Sequence, residues 1–595
     1  MRKHLAIIRF IKTHIKTFGK RLIDEHKNRK TYIILAAVVF ILLYAYKVSL
    51  YTNFLIPEPN KSIFIYKFLV TILWSSIFYS LIFRIRNRVF FIILYILQQI
   101  YIVANLLYYM YFHNYFHLTQ LFALFNEGVV ASSHLSIPIT PKLLLILIDF
   151  PVSLYLIIKY KILYKRIKEL KIAKRVLITM SLISIICIEI VNFQLGKSII
   201  QIVANHAVSE SMTIQEYGTM VNDVASLINQ KSATDFVYGR EIINEKESNQ
   251  KPDIIAIQIE SMDANIVNQQ YKDQYVMPYL HSLTDTNIYY PFNMSYHMGG
   301  GTSDCEFSVI NSIQPFPDFP AIKLSNYFYP NSMINKLKGG SYNTVVFHGN
   351  NGSFYNRNVA FPKMGFNNYF DLEKMNKPIV GWGVSDADTF NYAENYMKTE
   401  KDPFIAYVIS LTSHTPFDFA RAVYSNKRYD DINDATVKNY FNSMSYVDQC
   451  LKDFIEKIRN EHKNSYIFIY GDHTPDINTT LYHQASFTMD GKYFEFVPLF
   501  ILTPDNKKYK ENKAVASFLD ISPTILNASA IKFDLKSDGM NLLDRNSTLN
   551  TIPYNGSNYD RIVLFNKMAE TNKEITILKS TLPFYQVPLI IDSNG

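Results

Sequence analysis

Five apolar runs crowd the first 195 residues of the chain, at about 32–54, 64–83, 89–112, 143–158 and 176–193. A helix needs ~20 residues to cross ~30 Å of hydrocarbon. Each run approaches or exceeds that length; the fourth is the shortest and contains Asp149 and Pro151. A single run of this kind reads equally well as a buried core helix. Five in succession, with basic residues at their ends, predict membrane spans that are retained, because 30 mostly polar and basic residues precede the first and leave no short cleavable signal.

The charges between the runs set a direction. The segment before the first run carries ten Lys and Arg against Asp24 and Glu25, a net +8. Arg84, Arg86 and Arg88 give +3 between runs two and three, and 159–175 carries +7 between runs four and five. The stretch 113–141 has no Lys or Arg. This alternation places the N-terminus in the cytoplasm and, after five crossings, everything beyond about residue 194 outside. It also excludes nucleic acid as a partner. The whole chain is +9 while the three cytoplasmic segments total +18, so the remainder is −9. The basic residues are positioned to meet anionic headgroups of membrane lipids.

Residues 195–250 are polar, with helical spacing over 213–229, and read as a juxtamembrane helix and linker after a membrane domain at 1–194. From 251 to 595 the pattern changes. Short β-rich runs at 253–259, 343–348, 404–411, 465–470 and 497–502 alternate with helical candidates at 277–284, 303–312, 331–338, 386–398, 435–459 and 519–528. Near-continuous apolar strands separated by helices imply an α/β domain whose largely parallel sheet is covered on both faces. Of the three cysteines, Cys187 lies in the fifth run, and Cys305 and Cys450 are expected to be unpaired.

Active groups in such a sheet collect beyond the carboxyl ends of the strands. Four of the strands end in chemistry: Glu260-Ser261, His348-Gly349, Ser413-His414 and Gly471-Asp472-His473. A lone histidine is more often structural than catalytic; four such ends at equivalent places define a site. Glu260, Asp472 and His473 offer mixed oxygen and nitrogen donors suited to Mn²⁺, Mg²⁺ or Zn²⁺. The other element is Gly299-Gly300-Gly301-Thr302-Ser303-Asp304-Cys305-Glu306. Ser303 and Glu306 have capping-box spacing, so a helix is expected just after Thr302, with the threonine hydroxyl at an N-terminus that favours phosphate. That hydroxyl is a weak nucleophile until a metal or base activates it.

These residues resemble the alkaline phosphatase/sulfatase superfamily and, within it, the lipoteichoic acid synthase group of membrane phosphoglycerol transferases. The matching stretches are Ile259-Glu260-Ser261, Gly300-Gly301-Thr302-Ser303-Asp304 through Phe307, Phe354-Tyr355-Asn356-Arg357, Ser413-His414-Thr415-Pro416-Phe417, Tyr470-Gly471-Asp472-His473 and, more weakly, Asp520–Leu526. The resemblance implies five transmembrane helices followed by an extracellular sulfatase-like domain. It implies one divalent ion, Mn²⁺ by preference, on Glu260, Thr302, Asp472 and His473. Thr302 would be the nucleophile, with His414, Arg357 and His348 around the substrate. The donor would be phosphatidylglycerol and the acceptor a glycolipid or growing polyglycerolphosphate. Glycine precedes Thr302 where the best-known synthases carry Lys, Asn350 stands in place of Asp, and Tyr355 in place of Trp. These departures touch substrate and chain-length specificity and leave the metal set intact. The rival classes are a phosphoethanolamine transferase, a sulfatase-like phosphodiesterase and a non-catalytic sensor of the same fold. The intact metal set speaks against a sensor, and a nucleophile that is Thr302 speaks against a sulfatase.

Overall fold

The structure is a computed structural model. It describes residues 42–52, 61–82, 88–112, scattered positions from 150 to 228, and 235–581 apart from 318, 325–326, 509–512 and 545–548. The chain divides into two compact units, Met1–Leu121 with Ser136–Gln230, and Phe122–Leu135 with Lys231–Gly595.

In the first unit, helix α1 (Lys61–Ile82) and helix α2 (Arg88–Phe112) fall on the second and third apolar runs. The described residues taken alone contain no helix that is long and apolar enough to cross a membrane. About half of the first and fifth runs and nearly all of the fourth lie outside the described residues, as does Cys187. Helix α3 (Thr219–Ile228) occupies the stretch with helical spacing. Its Val221 packs with Tyr217 against Tyr66 and Val70 of α1.

The second unit is built on a nine-stranded sheet: β1 (Asp253–Ile259), β2 (Ile288–Met294), β3 (Asn343–His348), β4 (Asn368–Phe370), β5 (Phe404–Ile409), β6 (Ser465–Gly471), β7 (Ser486–Met489), β8 (Lys492–Leu502) and β9 (Ala516–Ser517). The spatial order is β9-β2-β8-β6-β1-β5-β3-β4, with β7 paired to β8. The five strands β6-β1-β5-β3-β4 are mutually parallel. Beyond β6 the direction reverses: β8 runs antiparallel to β6, and β2 antiparallel to β8. The sheet is mixed: β8 alone runs against the rest, and the other strands share one direction, in line with the largely parallel expectation.

The central strands read DIIAIQI and FIAYVI and are buried almost throughout, as strands covered on both faces must be. One covering layer is the 27-residue helix α5 (Ala435–Glu461), begun by Asp434, which accepts from the N–H groups of Thr436 and Val437. It buries Phe441, Met444, Val447, Leu451 and Ile455 in a core shared with Ile255, Ile257, Val408 and Ile469. On the opposite side, helix α4 (Thr302–Asn311) packs with helix α6 (Phe518–Ala528). A strand at Arg240–Asn244, inside the stretch read as linker, pairs antiparallel with Phe533–Ser537 and belongs to this second unit. Cys305 and Cys450 are free and buried, as expected.

Candidate active site

Parallel strands deliver their last residues to one edge, and β1 and β6 are neighbours there. Glu260 follows β1, Asp472 and His473 follow β6, and Gly471 pairs with Ile259 across the two strands. Glycine is required at 471, since a Cβ there would stand 1.8 Å from the carbonyl oxygen of Met262. Glu260, Asp472 and His473 each offer one ligand atom within 4.8 Å of the others. His473 Nε2 lies 3.2 Å from Glu260 Oε1 and 3.7 Å from Asp472 Oδ2.

Each of these side chains is held by its surroundings. The Glu260 N–H donates to Ser410 Oγ at 2.8 Å, and Ser413 Oγ donates to the Glu260 carbonyl at 2.6 Å. Ser261 sits at φ 55°, a strained conformation for a serine. From there its hydroxyl donates to Glu260 Oε1 and its N–H to Asp472 Oδ1. The His473 N–H donates to the same Asp472 oxygen at 2.7 Å. The other oxygen, Asp472 Oδ2, is buried with no hydrogen-bond partner. His473 Nδ1 donates to the Thr474 carbonyl at 2.8 Å, which leaves Nε2 facing the two carboxylates. An orphaned carboxylate oxygen and an imidazole nitrogen turned to the same point are what a divalent cation requires.

The electrostatics match. Burial would raise the Glu260 carboxyl, but the charges of His414 and His473 hold it below the usual carboxylate range. Burial and the Glu260 charge push Asp472 up. His473 is raised despite its burial, by Asp472 and Glu260. A proton on His473 thus offsets the negative charge that a cation would neutralise.

Thr302 is the first residue of α4 and remains partly accessible. Its Oγ1 donates to Glu260 Oε2 at 3.1 Å. Gly301 precedes it at φ 55°, a left-handed conformation suited to glycine, and has no side chain to cap the helix. The expected capping box is absent. Ser303 Oγ turns back to the Gly300 carbonyl at 2.7 Å. Asp304 does the work at this helix end, its Oδ2 accepting from the N–H groups of Met298 and Gly300, both at 2.8 Å. Glu306 is used elsewhere: its carboxylate receives Arg357 Nε at 3.1 and 3.0 Å and Nη2 at 2.6 Å. Arg357 is therefore not an open fork. Two of its three nitrogens serve Glu306, both side chains are buried, and only Nη1 is without a hydrogen-bond partner.

Two further histidines stand near Glu260. His348, at the end of β3, is buried, with Nδ1 3.3 Å from the Ile409 carbonyl. Burial and the nearby Arg357 push its imidazole down to about 3, so it is neutral. His414 is partly exposed and its ring lies 4.9 Å from that of Trp382. The serines 261, 410 and 413, Asp304 and Trp382 are the site residues sequence reasoning missed. Ser261 and Ser413 had stood in the flagged strand ends, whereas nothing local marked Ser410 or Trp382.

A sheet with this topology and this edge defines a class, and the comparisons agree with it. Residues 252–531 match the sulfatase family model. Residues 10–234 match that of the lipoteichoic acid synthase N-terminal domain. With both in this order, the chain is similar in domain content to the lipoteichoic acid synthases. It is similar to lipoteichoic acid synthase 1 of Bacillus subtilis, 29% identical over 296 residues that cover 47% of this chain and 46% of that protein. It is also similar to the lipoteichoic acid synthase of Staphylococcus aureus, 31% identical over 234 residues, covering 38% and 36% respectively. The alignments thus span about half or less of the length of these relatives. Among solved structures, the integral membrane lipooligosaccharide phosphoethanolamine transferase A of Neisseria meningitidis shares the fold. Its TM-score is 0.56 at 15% identity, over 83% of this chain and 95% of that one.

Proposed function

We propose that this chain is a metal-dependent phosphoglycerol transferase, anchored by five membrane spans with a cytoplasmic N-terminus, and that its active site faces outward. The observation that carries the reading is the Thr302 hydroxyl, at a helix N-terminus, 3.1 Å from Glu260 beside an unpartnered oxygen of Asp472. Glu260, Thr302, Asp472 and His473 would hold one Mn²⁺, with Mg²⁺ or Zn²⁺ as alternatives. When bound, the ion supplies Lewis acidity to a phosphoryl oxygen and eases loss of the threonine proton.

The donor is phosphatidylglycerol. Glu260 Oε2 accepts the Thr302 hydroxyl hydrogen at 3.1 Å. Thr302 Oγ1 attacks phosphorus as its proton passes to Glu260 Oε2, a Thr302 O–P bond forms, and the bond from phosphorus to the diacylglycerol oxygen breaks. His414, partly exposed at the rim, hands a proton to that departing oxygen. Neutral His348, with Nδ1 turned to Ile409, keeps Nε2 as an acceptor for a glycerol hydroxyl. Arg357, buried against Glu306, fixes the helix that carries Thr302 rather than meeting the phosphate as an open fork. An acceptor hydroxyl, on a glycolipid or a growing polyglycerolphosphate, then attacks phosphorus and gives its proton to His414; the Thr302 O–P bond breaks and Thr302 takes its proton back from Glu260.

One feature supports the membrane part: the charges flanking the apolar runs alternate. The first 194 residues form the membrane domain and 251–595 the catalytic domain in this reading. The test is incubation of purified full-length protein with labelled phosphatidylglycerol, with labelled phosphatidylethanolamine in parallel. Release of diacylglycerol from the first lipid alone supports the proposal. Release from the second alone assigns the site to the phosphoethanolamine transferases.

A further inference from the structure

Two side chains outside the cluster converge on His473. Its ring is covered by that of His297, with centroids 4.4 Å apart and planes within 17°. His297 Nδ1 donates in turn to Glu495 Oε2 at 2.9 Å. The other oxygen of Glu495 accepts the Thr474 hydroxyl. Thr474 is the residue whose carbonyl receives His473 Nδ1–H. One buried carboxylate therefore grips both supports of the imidazole, the ring above it and the residue that fixes its hydrogen.

The backbone makes the grip rigid. Glu495 lies on β8, and its carbonyl accepts the N–H of Ser295, just past the end of β2. Ser295 Oγ reaches the Asp472 carbonyl at 2.8 Å. The β8–β2 ladder shifts register between Val497 and Leu499, an irregularity that re-aims the strand ends near the site. The segment 295–297 thus braces Asp472 through its backbone and His473 through its ring.

We propose that Glu495 and His297 are positioning residues for the metal site: Glu495 locks Thr474 and His297 in place so that His473 keeps its hydrogen on Nδ1 and turns Nε2 to the cation. The inference rests on the reading of Glu260, Asp472 and His473 as ligands. Supports one layer out from a metal orient its ligands, and their removal typically weakens metal binding ~10–100-fold. A purely structural role would lower stability without moving metal affinity.

The experiment is direct Mn²⁺ binding by the full-length protein, followed by loss of the free-ion resonance in electron paramagnetic titrations. Wild type is compared with Asp472→Ala, Glu495→Ala, Glu495→Gln, His297→Ala and His297→Phe. Wild type binds and Asp472→Ala does not. Glu495→Ala and His297→Ala bind ~10–100-fold more weakly. His297→Phe, which keeps a ring over His473, stays within a few-fold of wild type. Glu495→Gln falls between, since one amide cannot reproduce both acceptor contacts. Thermal unfolding in EDTA checks folding; if Glu495→Ala does not fold, Glu495→Gln and the His297 pair decide. Wild-type affinity in Glu495→Gln and His297→Ala would overturn the inference alone. Absence of Mn²⁺ binding by the wild type would overturn the metal reading and the inference together.

Discussion

The Arg357–Glu306 pair separates two accounts of the same arginine. As a substrate ligand, Arg357 would be spared by folding and needed by turnover. The structure instead shows three contacts of 2.6–3.1 Å to Glu306, with the two side chains 1% and 0% exposed. Removing one partner of a buried pair strands a charge and costs ~3–5 kcal/mol. Arg357→Met should therefore lower the melting temperature by at least ~6–10 °C, taking ~2 °C per kcal/mol for a domain of this size. Glu306→Gln should do the same from the other side. The double variant leaves no unpaired charge, so it should recover ~2 kcal/mol or more of the summed losses, within the range of coupling seen for touching groups. The assay is thermal unfolding of the full chain, single and double variants side by side, with the KM for phosphatidylglycerol measured in parallel. A melt of Arg357→Met within ~1 °C of wild type, with a raised KM only, would refute the argument and return Arg357 to the substrate.

Three further outcomes follow from the same geometry. His348 has a folded pKa of about 3, below its ordinary value, because burial and Arg357 disfavour its charge. The unfolded chain then binds more protons between about pH 6.5 and 3, and the contribution of this group is full above pH 6.5 and lost as pH falls. Wild type should lose up to ~1.4 kcal/mol per pH unit across that window relative to His348→Gln, measured by denaturant melts; parallel curves would contradict the assignment. Ser303→Ala removes a buried bond to the Gly300 carbonyl and should cost ~1 kcal/mol of stability with little effect on turnover; loss of turnover would point to Ser303 as the nucleophile. Cysteine labelling in intact cells should modify a cysteine placed at position 250 and spare one at position 15; labelling of 15 alone would reverse the topology.

What was legible in the sequence was local. Glu260, Asp472 and His473 were readable because a parallel strand must end at the sheet edge, wherever else the chain goes. The helices were readable from 3.6-residue periodicity, and α4 begins at Thr302, within a residue of the expectation. What failed was what required a partner far away. Glu306 had the spacing of a capping box, but the buried Arg357, 51 residues on, offered a charged partner that a surface cap does not. Strand β2 was missed because Pro291 argues against a strand. It is accommodated at the irregularity where Pro498 of β8 also falls. The direction of β8 was invisible, since a run buried on both faces looks the same whichever way it pairs. The bracket of His297 and Glu495 joins residues about two hundred positions apart and left no local pattern to find.

The measurement closest to the centre of the account is mass spectrometry of full-length protein quenched while turning over phosphatidylglycerol. Thr302 Oγ1 is partly accessible and held by Glu260, whereas Ser303 Oγ is buried against the Gly300 carbonyl. A glycerophosphoryl adduct should appear on the peptide carrying Thr302 and map to that residue. Thr302→Ala should carry none and should release diacylglycerol slower by several powers of ten, each ~1.4 kcal/mol of barrier. An adduct mapped to Ser303, or wild-type diacylglycerol release by Thr302→Ala, would contradict the covalent mechanism.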